Sequence, residues 1–318
     1  MKPPYSKSSL KAMVGQLIKS ETYNQIKDYT IGKFRDNDYR RLPYDEFEDP
    51  GFPGLKILSD LNSKRVKSNV LYKYVSKDAL VYILAPNGGI RFCEPTQWND
   101  KYESIFYRSE KFLSEDLRQK KVYASCFTTK KENEAAWKAY LSSDSGDLKS
   151  ALSFRLEISR SKMINALLKQ FGDCELYEAP VAYLHKNQVF SSLDSNRPRI
   201  RGFSQGTFRK GGVTDWNAYI SLLSVKRDYF SYEDEARYFI VPGEGDTSGS
   251  DNYKYLLNPK SFIKKITVVR PYGQLSMEPC ATSTFELTRE ELDFCAGELG
   301  VEPSLLESYN PYKFTDER

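Results

Sequence analysis

From residue 69 onward the chain repeats one kind of segment, short runs of β-branched and aromatic residues separated by glycine, proline or a helical stretch. NVLYKYV, IRFCEP, KVYASCFT, ALSFRLEI, ELYEAPVAYL, SYEDEARYFIV and SFIKKITVVRPYG all read as strands, because branched and ring side chains suit a pleated, half-buried surface. Between them SKDALVYILA, Glu134 to Leu141 and SKMINALLKQF carry helical spacing, and Asn87-Gly88-Gly89 stops the first of these helices. TDWNAYISLLSVK reads as helical or mixed, and ELYEAPVAYL is expected to break at Pro180. LTREELDFCAGELG reads as a late helix, with Thr288 as its cap and Glu291 completing a capping box. Strands outnumber helices, and the helices fall between strands or at the ends. The pattern predicts an α+β fold with a mixed β core and peripheral helices rather than a doubly wound parallel sheet. The 23 tyrosines and 18 phenylalanines bring aromatic residues to 14%. That content suits a ring-lined cleft and does not suit a helical bundle.

The start of the chain follows a different period. Leu10, Met13, Val14, Leu17 and Ile18 take i, i+3, i+4 spacing, so residues 8–41 read as helical. RLPYDEFEDPGFPGL then reads as a connector, since proline removes a backbone donor and glycine frees the chain. The division expected is a helical N-terminal extension over 1–68, a core over 69–282, and a C-terminal helix packed on that core within 283–318.

Composition narrows the chemistry. The 47 basic residues against 43 acidic ones leave a net charge of +4, too small to imply a nucleic-acid partner without local clustering. The single histidine, His185, reads as a strand-end residue, and most Ser-His-Asp and Cys-His schemes would have to pass through it. The five cysteines, Cys93, Cys126, Cys174, Cys280 and Cys295, form no C-x-x-C pair and read as buried reduced thiols, so no metal is expected. No apolar run approaches the roughly 18 residues of a membrane span. MKPPYSKSS has no apolar stretch behind it, so a cytoplasmic location with no membrane partner is expected.

Four local patterns carry chemistry. In Tyr232-Glu233-Asp234-Glu235-Ala236-Arg237, strand alternation would put Glu233, Glu235 and Arg237 on one face. Such a row suits a cation, a sugar or a positively charged transition state. It reads equally as the solvated face of an edge strand with Arg237 bridging the carboxylates. In Leu71-Tyr72-Lys73-Tyr74-Val75-Ser76, a cation between two tyrosines precedes a helix start, which suits phosphate, or else an exposed strand lysine flanked by core rings. Trp98-Asn99-Asp100-Lys101-Tyr102-Glu103 reads first as a turn with side-chain-to-backbone bonds. Tyr123-Ala124-Ser125-Cys126-Phe127-Thr128 leads to a helix carrying Trp137 and Tyr140 on one face, which packing explains as well as ligand stacking does.

Taken in order, these patterns resemble a bacterial family called domain of unknown function 2971. Its members look like a tyrosine-cation-tyrosine strand, an Asn-Asp-x-x-Glu turn, a Cys-Phe-Ser/Thr strand, a Trp-Tyr helix and a lysine leading into Glu-x-Glu-x-Arg. The matching residues are Tyr72, Lys73 and Tyr74; Asn99, Asp100 and Glu103; Cys126, Phe127 and Thr128; Trp137 and Tyr140; and Lys226 with Glu233, Glu235 and Arg237. Lys101 stands where the family has proline, and Tyr229 and Phe230 stand near its usual tryptophan.

The layout is more distantly similar to that of ADP-ribosyltransferases, which carry a cation or histidine, a Ser/Thr or Tyr, and a glutamate on successive core strands. That resemblance implies an ADP-ribosyltransferase-like core and an NAD-consuming transferase or glycohydrolase, such as a toxin or anti-phage effector. It implies Glu235, Glu233 and Lys73 as catalytic residues. It places Tyr72, Tyr74, Asn99, Ser125, Phe127, Thr128 and Arg237 around NAD, with no metal. Lys73 lacks the planar hydrogen-bonding geometry of the arginine or histidine expected there.

The acceptor is left open among protein, nucleic acid and water. Arg197, Arg199, Arg201, Arg209 and Lys210 with Phe203 and Phe208 suit nucleic acid, and equally suit a solvated loop. The alternatives are a non-catalytic binding module on the same fold and a metal-dependent nuclease built on Glu233, Glu235 and Lys226.

Overall fold

The computed structural model describes residues 45–48, 51–59, 66–98, 103, 107, 113–139, 152–184, 216–243, 253–269 and 286–309. The helical reading of 8–41, His185, Cys280, Asn99, Asp100, Tyr140 and the basic segment of 197–210 lie outside them.

The described chain is α+β, built on one large mixed sheet. Its strands are β1 (Asp45–Glu48), β2 (Leu55–Ser59), β3 (Val70–Val75), β4 (Gly89–Cys93), β5 (Tyr123–Thr128), β6 (Ser153–Ser159) and β7 (Glu175–Pro180), followed later by β10 (Glu235–Val241), β11 (Tyr253–Leu257), β12 (Ile263–Val269) and β13 (Leu306–Ser308). They lie in the order β1-β2-β7-β10-β5-β3-β6-β12-β13, with β4 branching from β5 and β11 beyond it. Most neighbours are antiparallel; β2 with β7 and β12 with β13 run parallel. Two short strands, β8 (Ala182–Leu184) and β9 (Val225–Arg227), pair separately.

The stretch from Arg41 to Leu55 read as a connector because of its prolines and glycines. Within it Asp45–Glu48 is β1, which pairs with Leu55–Ser59, and β2 then docks against β7. The segment thus contributes two strands to the main sheet, and Gly54, at φ +90°, lies in the turn just before the second. The tetrapeptide DEFE carries little strand propensity of its own, and sheet pairing overrides it.

Strand alternation gives the sheet two unlike faces. Leu71, Val75, Tyr123, Phe127, Leu156, Ile158, Ala236, Tyr238 and Ile240 form the main core on one face. It is covered by α1 (Lys77–Leu84), α4 (Arg160–Gln170) and α6 (Arg289–Leu299) through Leu80, Ile83, Met163, Ile164, Leu292 and Ala296. The capping box of α6 is present, Thr288 accepting from the Glu291 N–H while Glu291 accepts from the Thr288 N–H. Gly300 ends that helix at φ +59°. The main-core face also holds a buried bidentate pair, Arg160 to Glu178 at 2.8 Å for both bonds, with the Tyr238 hydroxyl donating to Glu178.

The other face carries two smaller cores. One gathers Ala124, Tyr177, Ala179, Phe239 and Val241 beneath α5 (Trp216–Leu222) and α2 (Glu115–Gln119). The second is Tyr74, Trp137 and Val269 beneath α3 (Glu134–Ala139). Between them the register lines up Glu235, Thr128, Tyr72 and Glu157 across four adjacent strands. Polar residues therefore interrupt an otherwise apolar face. Among the described residues no helix is long and apolar enough to cross a membrane.

Candidate functional site

The interruption is an ion cluster. β10 is not an edge strand; it lies between β7 and β5, and all seven of its residues are buried. Glu235 and Arg237 share a face, as alternation requires, and Cys126 stands opposite Arg237. Arg237 is fully buried, with its Nε 2.9 Å from Glu235 Oε1 and its Nη1 donating to the Leu223 carbonyl at 2.6 Å. Its Nη2 donates to Glu103, and the Trp98 ring lies 4.4 Å from the guanidinium carbon. Parallel pairing of β8 and β9 sets Tyr183 beside Lys226. The Lys226 ammonium reaches Glu233 at 2.5 Å, Glu103 at 3.1 Å and Glu235 at 3.2 Å, with the Phe230 ring behind it. The Tyr183 hydroxyl accepts from the Glu235 N–H at 2.8 Å.

Glu233 is not part of the strand. Residues Asp228–Glu233 form a 3₁₀ turn, and Asp234 at φ +42° separates it from β10. Its carboxylate meets Glu235 through the shared Lys226 rather than through alternation. The turn is tied to the segment after β5: Thr128 donates to the Glu233 carbonyl, Thr129 to the Asp234 carboxylate, and Asn133 Nδ2 to the Tyr232 carbonyl. This fixed turn holds Tyr229 and Tyr232 outward, 68% and 42% exposed.

Charges in the cluster follow from this packing. Burial alone would raise the Glu235 carboxyl, but Arg237 and Lys226 outweigh it and hold it down at about 2. Burial opposes the Lys226 and Arg237 charges, and the surrounding glutamates hold both well above their ordinary values. Glu233 is raised, by burial first and by its carboxylate neighbours, despite Lys226. Burial and the Glu235 carboxylate push the Cys126 thiol well up. Three carboxylates meet two cations in this cluster, and the Lys73 ammonium acts on Glu235 from the neighbouring strand fork. Glu235 is 6% exposed, whereas the Glu233 side chain is 28% exposed, so Glu233 is the member of the pair that reaches solvent.

An acid-stability profile checks this arrangement. A carboxyl at about 2 when folded and near 4.5 when unfolded stabilises the fold fully above pH 4.5, and that contribution fades as pH falls toward about 2. The contribution is about 3 kcal/mol. Glu233 has the opposite sign: its raised value costs stability at neutral pH and is relieved on acidification. Urea unfolding followed by tryptophan fluorescence is expected to change little down to about pH 5 and to weaken steeply below pH 4.5. Glu235→Gln should flatten the steep part; an unchanged profile in that variant would refute the assignment.

Other residues singled out in the sequence fall elsewhere. Tyr72, Tyr74 and Thr128 lie on the Glu235 face but are buried and engaged. The Tyr72 ring faces the Arg155 guanidinium, the Tyr74 hydroxyl donates to the Lys131 carbonyl at 2.8 Å, and Thr128 holds the turn. Of the grouping that the resemblance implies, Lys73 with Ser125 or Thr128 and Glu235, Thr128 shares the Glu235 face and stands opposite it, whereas Lys73, Ser125 and Phe127 alternate to the other face. The outer edge of β5 is shared, with Cys93 pairing Ala124 from β4 and Tyr72 pairing Thr128 from β3. Lys73 fills the fork between them, donating to the Cys126 carbonyl at 2.8 Å and to Ser125 Oγ at 3.2 Å, with its ammonium 4.9 Å from the Phe127 ring. Burial lowers the pKa of that ammonium.

Comparison with family models, curated proteins and solved structures returned no match to this chain. Function therefore has to be argued from the site. Glu103 and Arg155 complete the buried polar face, with the half-buried Trp98 and Tyr183 beside Arg237 and Glu235. Two signals in the sequence bear on them: Glu103 closes the Asn-Asp-x-x-Glu turn, and Arg155 takes a core position in an apolar strand. Cys93, Cys126, Cys174 and Cys295 form no disulfide among the described residues and are half-buried rather than fully buried.

Proposed function

We propose that this protein is an NAD-consuming transferase or glycohydrolase with an ADP-ribosyltransferase-like core, related to the domain of unknown function 2971 family. The observation that carries this reading is a carboxylate-rich cluster from which one member, Glu233, reaches solvent. When the bond from ribose C1′ to the nicotinamide nitrogen breaks, its electron pair goes to that nitrogen and positive charge builds on the ribose. A preorganised negative group stabilises that charge more in the transition state than in the ground state. The acceptor, water or another nucleophile, then bonds to C1′ and gives up its proton.

Residue roles differ from those the sequence implied. Glu233 is the carboxylate placed to meet ribose or to take the acceptor proton. Glu235 is saturated by Arg237 and Lys226 and acts as a positioning residue, holding Lys226 and the cluster's charge. Lys73 supports the sheet fork. The exposed rings of Tyr229 and Tyr232 lie on the same turn as Glu233 and suit stacking against a ligand ring.

A binding module is the second reading, favoured by one observation: Glu103, Glu235 and Arg237 already satisfy one another as a structural network would. The nuclease reading needs Glu233 and Glu235 to share a metal ion, and the Lys226 ammonium takes the position between them.

Incubation of the pure protein with NAD, with nicotinamide followed by chromatography and a chelator in a parallel tube, tests the proposal. Release insensitive to chelator is expected. Absence of release together with absence of NAD binding in calorimetry would overturn it in favour of the binding module.

A further inference from the structure

A second buried cation lies on the same face as Glu235, three strands away, or roughly 14 Å at ordinary strand spacing. Arg155 on β6 is fully buried. The rings of Tyr72, Trp137 and Tyr309 surround its guanidinium at 5.3, 5.3 and 5.8 Å. Its Nη1 donates to the Lys131 carbonyl and to Glu132, and its Nη2 donates to Thr267, with Glu307 at 3.9 Å.

This cluster has donors to spare. Arg155 Nε, Trp137 Nε1 and Ser153 Oγ are all buried and have no hydrogen-bond partner among the described residues. Ser153 and Arg155 are two apart on β6 and share a face. Ser153 stands opposite Val269, which packs with Trp137. Buried polar groups are nearly always paired, so one orphan on the guanidinium and two on its neighbours call for an explanation. Two are N–H groups that can only donate, and the third is a hydroxyl free to donate. The complement is a compact group with several acceptor oxygens and negative charge. The carboxylates that now face Arg155 belong to the surface: the Glu132 side chain is 43% exposed and that of Glu307 30%. Glu132 stands on the guanidinium as an anionic ligand would.

We propose that the Arg155 cluster is a binding site for a phosphate-class oxyanion. Arg155 Nε, Trp137 Nε1 and Ser153 Oγ are its donors, and Glu132 and Tyr309 are the cover that yields on entry. The incoming oxygens replace the Glu132 carboxylate on Nη1 and supply the acceptors that the three orphan donors lack. Fork geometry and flanking rings suit a guanidinium to this task better than an ammonium. The site stands apart from the NAD reading, since phosphate can arrive free or as the diphosphate of a nucleotide.

Calorimetric titration of the full chain with inorganic pyrophosphate and, separately, with ADP tests it. Saturable binding of pyrophosphate is expected, and tighter binding of ADP would assign the site to nucleotides. Trp137→Phe keeps a ring and removes one donor, so it should weaken binding about tenfold, and Ser153→Ala should do the same to a lesser degree. Glu132→Gln should strengthen binding by removing the competing charge. Circular dichroism and thermal melting establish that each variant is folded. The proposal is overturned if neither wild type nor Glu132→Gln binds either ligand. It also fails if folded Trp137→Phe and Ser153→Ala bind as wild type does.

Discussion

Arg237→Met is expected to lower the stability of this protein by about 3–5 kcal/mol, the cost of leaving a buried charge without its partner. The substitution strands two carboxylates at once. Glu235 and Glu103 are both buried, and each loses its guanidinium contact. The Leu223 carbonyl loses its donor and the Trp98 ring its cation. Lys226 remains but cannot neutralise three glutamates. Arg237→Lys should recover only part of the loss, because one ammonium cannot reproduce the planar fork that serves Glu235, Glu103 and Leu223 together. Urea unfolding with Trp98 as a neighbouring reporter measures this. A loss under about 1 kcal/mol would mean that the cluster is screened by water and is not the buried network described.

Glu233→Gln is expected to lower nicotinamide release by about 10²–10³-fold while leaving stability nearly unchanged, since losing one preorganised electrostatic group has that effect. Glu235→Gln should differ by lowering both rate and stability, because Glu235 is the buried partner of Arg237 and Lys226. The wild-type rate is expected to rise with pH through the raised value of Glu233, as a group acting as base must be ionised. The Gln variant should lose that rise. Equal rates in wild type and Glu233→Gln would remove Glu233 from the chemistry and with it the proposed mechanism.

The contrast between these two glutamates shows where the sequence is legible. Alternation in EARYFIV correctly paired Glu235 with Arg237 on one face. It wrongly extended the strand back to Glu233, because Asp234 takes a left-handed backbone that local residue preferences only weakly signal. Alternation also left open whether β10 was an edge, and the register with β5 and β7 resolves that. Lys73 is instructive in the same way. Its strand was legible, yet which neighbour it faces depends on Tyr72 pairing with Thr128, and a slip of one residue would have turned it to the other face.

What the sequence determined by itself is local. Period-two runs of branched and aromatic residues dictate strands at 70–75, 123–128, 153–159 and 263–269, and the Thr288–Glu291 capping box starts the last helix. Both arise from contacts among residues close in the chain. Tertiary structure alone decided that DEFE joins the sheet, that Lys73 plugs the fork beside β5, and that Glu103, Lys226, Glu233 and Arg237 converge. The physical reason is shared. A buried charged side chain needs partners of opposite charge or hydrogen-bonding groups, and most of these come from distant segments brought together by sheet register and crossover, which no local period encodes.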